Sequence, residues 1–329
     1  MQADATPHAA TPGARRHTRA GIVSARAVRA WLPALSFALV VGAIALLNPR
    51  AISYLGFNLM LNLAVPIALA TIAQMFVIAG NELDLSIGPF VGFVGCVTAT
   101  WLRDAPLLGA TVLIAAIAVY AALGALIYLR SLPSIVVTLG MSFVWLGLAI
   151  LLLPKPGGKA PDWLLAMVGY QPPWIPLPIL AALVIAGVAH FGLMRTSYGA
   201  ILRGSGGNPA ALARAGWSLL KTKVVLFGLA GCFGVLSGMT LIGITTSADA
   251  NIGSGYTLLA IAGVILGGGE FVGGRVSPVG AVMGALTMAL AASPLLTFMN
   301  IPPDWQVAAN GAILIIVLAV RALVSTREQ

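Results

Sequence analysis

Two short polar stretches interrupt a largely apolar sequence, and their side chains are the ones that could do chemistry. The first, Gly80–Gly88, carries carboxylates and a hydroxyl on Glu82, Asp84 and Ser86, and no basic residue. The second, Arg195–Lys223, has no acid and five basic residues: Arg195, Arg203, Arg214, Lys221 and Lys223. Carboxylates without a base can form a polar contact or a gate, whereas basic residues beside apolar runs favour the cytoplasmic face of a membrane.

The acidic stretch admits two interpretations. In the first it is a polar connection at a membrane boundary, in which Asp84 and Ser86 cap the next helix and the helix dipole favours Asp84. In the second, Glu82 and Asp84 belong to a contact or gate. A further pair of hydroxyls, Ser134 and Thr138, lies four residues apart and therefore on one helix face. These two side chains either line a path or bond to backbone carbonyls.

A short helix with both of its ends encoded lies inside the basic stretch. Asn208 can accept hydrogen bonds from the free N–H groups of the first turn, and Pro209 suits the first helical position. The residues that follow are mostly strong helix formers: Ala210, Ala211, Leu212, Ala213, Arg214 and Ala215. Gly216 can adopt the left-handed conformation that ends a helix. Because two turns are marginal alone in water, this helix needs to pack on its own membrane domain or on a partner.

The composition indicates that lipid surrounds the elements that hold these residues. The chain has 329 residues, of which 59% are hydrophobic and 8% charged, against roughly 25% charged residues in soluble proteins. Charges leave ten long uncharged runs: 30–49, 51–81, 85–102, 105–129, 131–154, 163–194, 224–248, 250–269, 276–303 and 305–320. Since a spanning helix needs about 20 apolar residues, we predict an all-α membrane protein, a polytopic bundle of about ten transmembrane helices. The run 85–102 is the weakest because Gly88 and Pro89 lie near its start.

Basic residues orient this bundle. With a cytoplasmic N-terminus, fourteen of the eighteen lysines and arginines fall inside the cell, as the positive-inside rule requires, and both termini are cytoplasmic. The predicted organisation is a disordered basic cytoplasmic tail over 1–30, a transmembrane domain over 31–324 that includes the segment 195–223, and a short cytoplasmic tail over 325–329. A transit peptide is the alternative for the Arg-rich tail.

The largest predicted outer loop spans about 154–173. Prolines and glycines at its start exclude a regular helix there. Its aromatic residues Trp163 and Tyr170, with Trp174 just beyond, suit anchoring at the membrane interface. A surface for an outer partner is the alternative.

Several kinds of site are not expected in this chain. No charged residue lies near the middle of a predicted span, which argues against a proton-driven transporter, because buried ionisable residues mark proton relays. The glycine-rich stretch 253–280 lacks the Lys-Ser/Thr ending of a phosphate loop and follows no strand, so we reject nucleotide binding there. The histidines have no metal-ligand spacing, and Cys96 and Cys232 lie in apolar runs, as packing residues do. We therefore expect no catalytic, cofactor or metal site.

Four motifs, taken in order, resemble the permease subunit of ribose-type bacterial ABC importers, an inner-membrane translocator family that also carries other sugars and the autoinducer-2 signal. The resemblance covers about residues 35–323 and rests on the following residues: Asp84–Gly88, Leu132–Ser134, Thr138–Gly140, Gly207–Ala211, Ala215–Gly216, Gly253, Gly255–Tyr256, Ala260–Ala262, Gly267–Gly268, Gly273–Arg275 and Trp305–Gln306. The chain departs from the family at Gly80–Asp84, where Gly-Gly-Ile-Asp is usual, at Thr257, where an acid is usual, and at Asn310, where a base is common. These departures concern the substrate rather than the fold.

The resemblance implies a permease of the bacterial inner membrane that translocates a small neutral solute, a monosaccharide, into the cytoplasm by alternating access. Its implied partners are an ABC ATPase subunit that binds ATP and Mg²⁺, a periplasmic solute-binding protein, a second permease copy or homologue, and membrane lipid, with no nucleic acid. Asn208–Gly216 would couple to the ATPase. The candidates for the pathway or gate are Glu82, Asp84, Ser86, Ser134 and Thr138. The alternatives are an ABC permease for autoinducer-2, a nucleoside or a branched-chain amino acid, and, from another class, a stand-alone secondary transporter.

Overall fold

The computed structural model describes residues 16–271 and 274–302, together with residues 305, 308, 311, 312 and 315, and it describes side chains from Trp31 onwards. Within these residues the regular structure is helical, apart from one isolated antiparallel bridge between Gly157 and Ala248. The predicted all-α fold is confirmed for this part of the chain. Residues 1–15, most of the predicted last span and the tail 325–329 lie outside the described residues.

The helices follow the division of the sequence into apolar runs. Their bounds are α1 (Arg16–Leu47), α2 (Tyr54–Asn62), α3 (Ala64–Ala79), α4 (Ile87–Ala99), α5 (Trp101–Asp104), α6 (Pro106–Leu129), α7 (Ser134–Leu152), α8 (Asp162–Gly169), α9 (Leu177–His190), α10 (Ser197–Gly207), α11 (Pro209–Arg214), α12 (Leu219–Thr245), α13 (Tyr256–Leu266), α14 (Pro278–Leu290) and α15 (Leu296–Phe298). A 3₁₀ turn, Pro49–Ala51, follows α1. Two π-helical turns, Phe191–Arg195 and Ala291–Leu295, extend α9 and α14.

Helix length and apolarity identify the candidate membrane spans. Among the described residues, five helices or helix pairs are long and apolar enough to cross a membrane: Pro106–Leu129, Ser134–Leu152, Leu177–Arg195, Leu219–Thr245 and Pro278–Phe298. The pair α2 and α3 is bent by 46° and makes a sixth if the two helices form one span. The predicted count of ten spans and the cytoplasmic location of both termini stay predictions.

Two of the predicted spans are shorter than expected. The run 85–102 contains α4, with 13 residues, and the run 250–269 contains α13, with 11 residues. At 1.5 Å per residue these helices are about 20 Å and about 17 Å long, against roughly 30 Å of hydrocarbon. Most of their residues are buried, so both helices lie inside the bundle rather than crossing lipid alone.

The centre of the bundle is α3, which is buried at every residue from Ala64 to Ala79. α12 packs against α3, α4 and α6, while α14 packs against α3 and α13. By contrast, α7 turns large apolar side chains outward, with Phe143 68% and Leu151 79% exposed. Since soluble monomers rarely expose large contiguous apolar patches, this face of the bundle is suited to lipid.

The first helix begins at Arg16, within the segment 1–30 that the sequence predicts to be disordered. Residues 16–30 contain alanine and arginine, which are strong helix formers, and no proline. They continue without a break into the apolar part of α1, Trp31–Leu47. The backbone of 16–30 is thus helical and continuous with the first apolar run, while the predicted division of the chain at residue 30 stays a prediction.

The start of the predicted outer loop has no regular helix, as the sequence predicts, because the first helix after Leu152 is α8, which begins at Asp162. Trp163, Tyr170 and Trp174 are 52%, 61% and 90% exposed. Anchoring at the interface and docking of an outer partner both require this exposure. Both therefore stay predictions.

Candidate functional site

An unwound segment, Gly80–Ser86, separates the two buried helices α3 and α4. Asp84 and Ser86 are buried and Leu83 and Leu85 are half-buried, so the backbone groups here need partners within the protein. The Leu83 N–H donates to Ser134 Oγ at 3.1 Å, and the Leu85 N–H donates to Thr138 Oγ1 at 3.0 Å. Two hydroxyls one turn apart on α7 thus accept the backbone hydrogen bonds that carbonyl groups of a neighbouring strand accept in a β-sheet.

Side chains from α3 and α13 complete this backbone pairing. With its amide in the orientation that satisfies both groups, Gln74 donates to the Asp84 carbonyl at 3.0 Å and accepts from the Asp84 N–H at 3.2 Å. Thr257 Oγ1 accepts from the Gly88 N–H at 3.0 Å and lies 3.5 Å from the Leu85 carbonyl oxygen. Three helices therefore hold the unwound segment in one conformation.

The carboxylate of Asp84 lies at the centre of this arrangement and is fully buried. Its Oδ1 accepts from the Ser86 N–H and the Ser86 hydroxyl, both at 2.7 Å. Its Oδ2 accepts from the Tyr120 hydroxyl at 2.8 Å. Among the described residues no basic side chain forms an ion pair with it, so three hydrogen bonds compensate for its loss of water.

The ring of Tyr120 packs within an aromatic cluster. The Tyr120 ring lies 4.4 Å from the Phe90 ring and stacks on Trp145 with the ring centres 6.2 Å apart. Tyr120 is about 4 Å along the axis from the midpoint of α6 at 1.5 Å per residue. Asp84 thus bonds to a side chain near the middle of α6, although Asp84 itself lies at a helix break and not within a predicted span.

Glu82 faces a different neighbour from Asp84. Its carboxylate forms an ion pair with Lys223 Nζ, which also donates to the Gly80 carbonyl oxygen. The two side chains are 19% and 12% exposed. Lys223 is the last basic residue of the predicted cytoplasmic segment, so this ion pair joins the two polar stretches of the sequence.

The structure thus brings all five predicted pathway or gate residues to one segment, although their role there stays a prediction. Thr138 bonds to a backbone carbonyl, that of Ser134, at 2.9 Å, as one interpretation expected. Ser86 is the N-cap residue of α4 but makes no side-chain cap hydrogen bond, because its hydroxyl turns to Asp84. The sequence analysis did not identify three partners of this segment, Gln74, Tyr120 and Lys223. Gln74 and Tyr120 are polar residues within apolar runs, and such residues are candidates for buried hydrogen bonds.

A cavity near this region is apolar. It has a volume of about 290 Å³ between α3, the end of α9, α10 and α12, with Phe76 and Phe233 among its lining residues. None of the five predicted residues lines it. This cavity is therefore not an enlargement of the Asp84 site.

The predicted short helix is confirmed in its local geometry. Asn208 Oδ1 accepts from the Ala211 N–H at 2.9 Å, and Pro209 occupies the first turn of α11. Gly216 has φ +84°, the left-handed conformation expected after the helix, and a β-carbon there would meet nothing within 4 Å. No residue of α11 is buried, so the helix presents a free surface at the end of the bundle.

A bundle of apolar helices with an unwound, internally hydrogen-bonded segment at its centre and an exposed capped helix on a basic loop defines a membrane transport protein. A family model described as the permease component of branched-chain amino acid transport systems matches residues 56–318. The chain belongs to this family.

Similar proteins are also named as transport permeases. The probable ABC transporter permease protein y4mJ of Sinorhizobium fredii is 30% identical over 97% of this chain and 96% of its own length. The ribose import permease protein RbsC of Escherichia coli is 28% identical over 67% of this chain and 71% of its own. The L-arabinose ABC transporter permease protein AraH of Azospirillum brasilense is 30% identical over 74% and 73%. No solved structure matches the chain.

Proposed function

We propose that this chain is the permease subunit of an ATP-driven ABC importer in the bacterial inner membrane and that it carries a monosaccharide into the cytoplasm. The observation that carries the proposal is the similarity, over two thirds or more of the chain, to permeases named for ribose and L-arabinose. The near absence of charge from the apolar helices supports a neutral solute.

The proposed topology has ten spans, with both termini and the segment 195–223 in the cytoplasm. The distribution of basic residues supports it, since fourteen of eighteen fall on one side. In this orientation α11 faces the cytoplasm and the loop that contains α8 faces the periplasm.

The proposed mechanism is alternating access by two permease copies, or a copy and a homologue, with the pathway between them. An ABC ATPase subunit would bind ATP and Mg²⁺ and dock on α11, so that changes in the separation of the ATPase domains reach the membrane through this helix. A periplasmic binding protein would deliver the sugar and supply most of the selectivity. This chain would contribute positioning and movement and no catalytic residue.

A stand-alone secondary transporter is the rival class, and Asp84 in an unwound segment is a feature that such transporters share. The relative that matches over nearly its full length is named a probable ABC transporter permease, and the family description is that of a transport-system permease component, which favours the ATP-driven class. The two classes differ in what they require, because a secondary transporter needs no ATPase.

Reconstituted protein tests the proposal. The permease is placed in liposomes with its ATPase and binding protein. Uptake of radiolabelled ribose, L-arabinose and xylose is measured with ATP on the side of the membrane that carries the ATPase. We expect uptake of one of these sugars that stops when ATP or the ATPase is omitted. Uptake that continues without the ATPase would overturn the ABC assignment, whereas ATP-dependent uptake of a nucleoside or amino acid instead would overturn only the choice of solute.

A further inference from the structure

We infer that Lys223 is a positioning residue for transport, which ties the cytoplasmic loop carrying α11 to the unwound segment Gly80–Ser86. The inference rests on the proposed function, since it concerns how movement at the ATPase side reaches the centre of the bundle. It assigns a role to a residue outside both the short helix and the five predicted gate residues.

The first observation is the double attachment of the Lys223 ammonium. It pairs with the Glu82 carboxylate and donates to the carbonyl oxygen of Gly80, the C-cap residue of α3. The last carbonyls of a helix have no partner within it and carry partial negative charge. One cation thus binds both the end of α3 and the start of the unwound segment.

The second observation is the short distance along the chain from α11 to this cation. α12 begins three residues after Gly216, and Lys223 is its fifth residue, about 6 Å along the helix axis at 1.5 Å per residue. Because α12 is a continuous helix of 27 residues, displacement of its first turn moves Lys223 with it. The connection between α11 and this helix is four residues long, 215–218.

The third observation is a second contact between the same loop and the same helix break. A β-carbon on Gly206, near the end of α10, would overlap the Ala79 carbonyl oxygen and lie 2.9 Å from the Asn81 nitrogen. The helix before α11 and the helix after it, α10 and α12, thus both touch the stretch Ala79–Glu82. Movement of α11 therefore acts on the break from two sides.

The far end of the break leads to the buried site. Two residues beyond Glu82, Asp84 binds Ser86 and Tyr120, while Leu83 and Leu85 are held by α7. The segment has few ways to move without exchanging these hydrogen bonds, so its arrangement is switched as a unit. Lys223 sets where this segment begins relative to α12.

A test measures coupling in the reconstituted importer as the number of sugar molecules imported per ATP hydrolysed. Lys223→Met keeps most of the aliphatic stem and removes both attachments, and we expect the ratio to fall about tenfold while ATP hydrolysis continues, within the range of allosteric couplings. Glu82→Gln removes only the charge, and we expect a fall of about threefold. Lys223→Arg, which keeps the charge and the donors, should restore most of the wild-type ratio.

The matched control is Lys221→Met, because Lys221 is exposed in the same turn of α12 and should leave the ratio unchanged. The charge-swapped pair Glu82→Lys with Lys223→Glu should recover only part of the ratio, since glutamate at position 223 cannot donate to the Gly80 carbonyl. If Lys223→Met is not recovered as an assembled complex, Glu82→Gln decides, and a wild-type ratio in that variant overturns the inference.

The outcomes separate the two proposals. Wild-type coupling in Lys223→Met, or transport and hydrolysis that fall in the same proportion in every variant, overturns the positioning role and leaves the proposed function intact. Absence of ATP-dependent uptake in the wild-type complex overturns the proposed function and this inference with it. A selective loss of coupling that Arg restores supports the inference.

Discussion

Substitution of Asp84 should lower the stability of the protein, because three donors bind a carboxylate that water does not reach. Asp84→Ala leaves the Ser86 N–H without an acceptor and opens a void beside Tyr120. We expect a loss of about 3 kcal/mol in the free energy of unfolding. Asp84→Asn keeps an acceptor oxygen and should cost about 1 kcal/mol. Denaturant unfolding of purified protein in detergent measures both values.

The control for this comparison is Asp104→Ala, since the Asp104 side chain is 78% exposed. Its effect should stay within about 0.5 kcal/mol, as for other surface substitutions. Equal stability of Asp84→Ala and Asp104→Ala would contradict the burial and hydrogen bonding described for Asp84.

Tyr120 provides a narrower test of the same site. Tyr120→Phe keeps the ring that packs on Phe90 and Trp145 and removes only the hydroxyl that donates to Asp84 Oδ2. We expect a loss of about 1–2 kcal/mol, because a buried carboxylate oxygen then lacks its donor. The same measurement on Tyr128→Phe is the control: Tyr128 lies on the same helix, is 40% exposed and should tolerate the change. A loss of similar size in both variants would show that the hydrogen bond from Tyr120 to Asp84 does not stabilise the fold.

Among the elements, α11 is the one whose conformation can be disturbed without disturbing the bundle. Gly216 adopts φ +84°, and a β-carbon there meets nothing within 4 Å, so valine acts mainly by straining the backbone, by about 1–2 kcal/mol. We expect Gly216→Val to leave unfolding of the bundle nearly unchanged and to weaken ATPase binding about tenfold, since about 1.4 kcal/mol is a factor of ten. Titration of the ATPase onto purified permease measures this.

Gly140→Val is the matched control for that substitution. A β-carbon at Gly140 also meets nothing within 4 Å, but the residue lies in the helical conformation of α7. Its ATPase affinity should equal that of the wild type. If Gly216→Val binds the ATPase as tightly as the wild type, the proposal that α11 contacts the ATPase is wrong.

The elements also show which parts of the molecule the sequence could predict. The ends of α11 were predictable because Asn208, Pro209 and Gly216 act within one or two turns of the chain. The pairing of Glu82 with Lys223 was not, because 141 residues separate them and composition does not reveal which side chains meet. The length of α4 was also not predictable: an apolar run shows that a segment avoids water, but it does not show whether the segment spans lipid or lies buried inside the bundle.

At the scale of the whole molecule, the break after α3 connects the centre of the bundle to its basic end. One end of this segment is attached to α12 through Lys223, and the other is held by α7 and α6 through Thr138 and Tyr120. This arrangement works in transport only if the basic end faces the ATPase. Orientation in the membrane is therefore the property on which the remaining interpretation depends.

Cysteine labelling tests that orientation. In a background with Cys96→Ser and Cys232→Ala, Lys155→Cys lies in the predicted outer loop and Lys221→Cys in the predicted cytoplasmic segment, and both positions are exposed. A membrane-impermeant maleimide added to intact cells should label Lys155→Cys and reach Lys221→Cys only after permeabilisation. The physical reason is the concentration of basic residues around position 221, which resists translocation. The opposite pattern would place α11 outside the cell, where no ATPase could dock, and would exclude both the coupling role of α11 and the positioning role of Lys223.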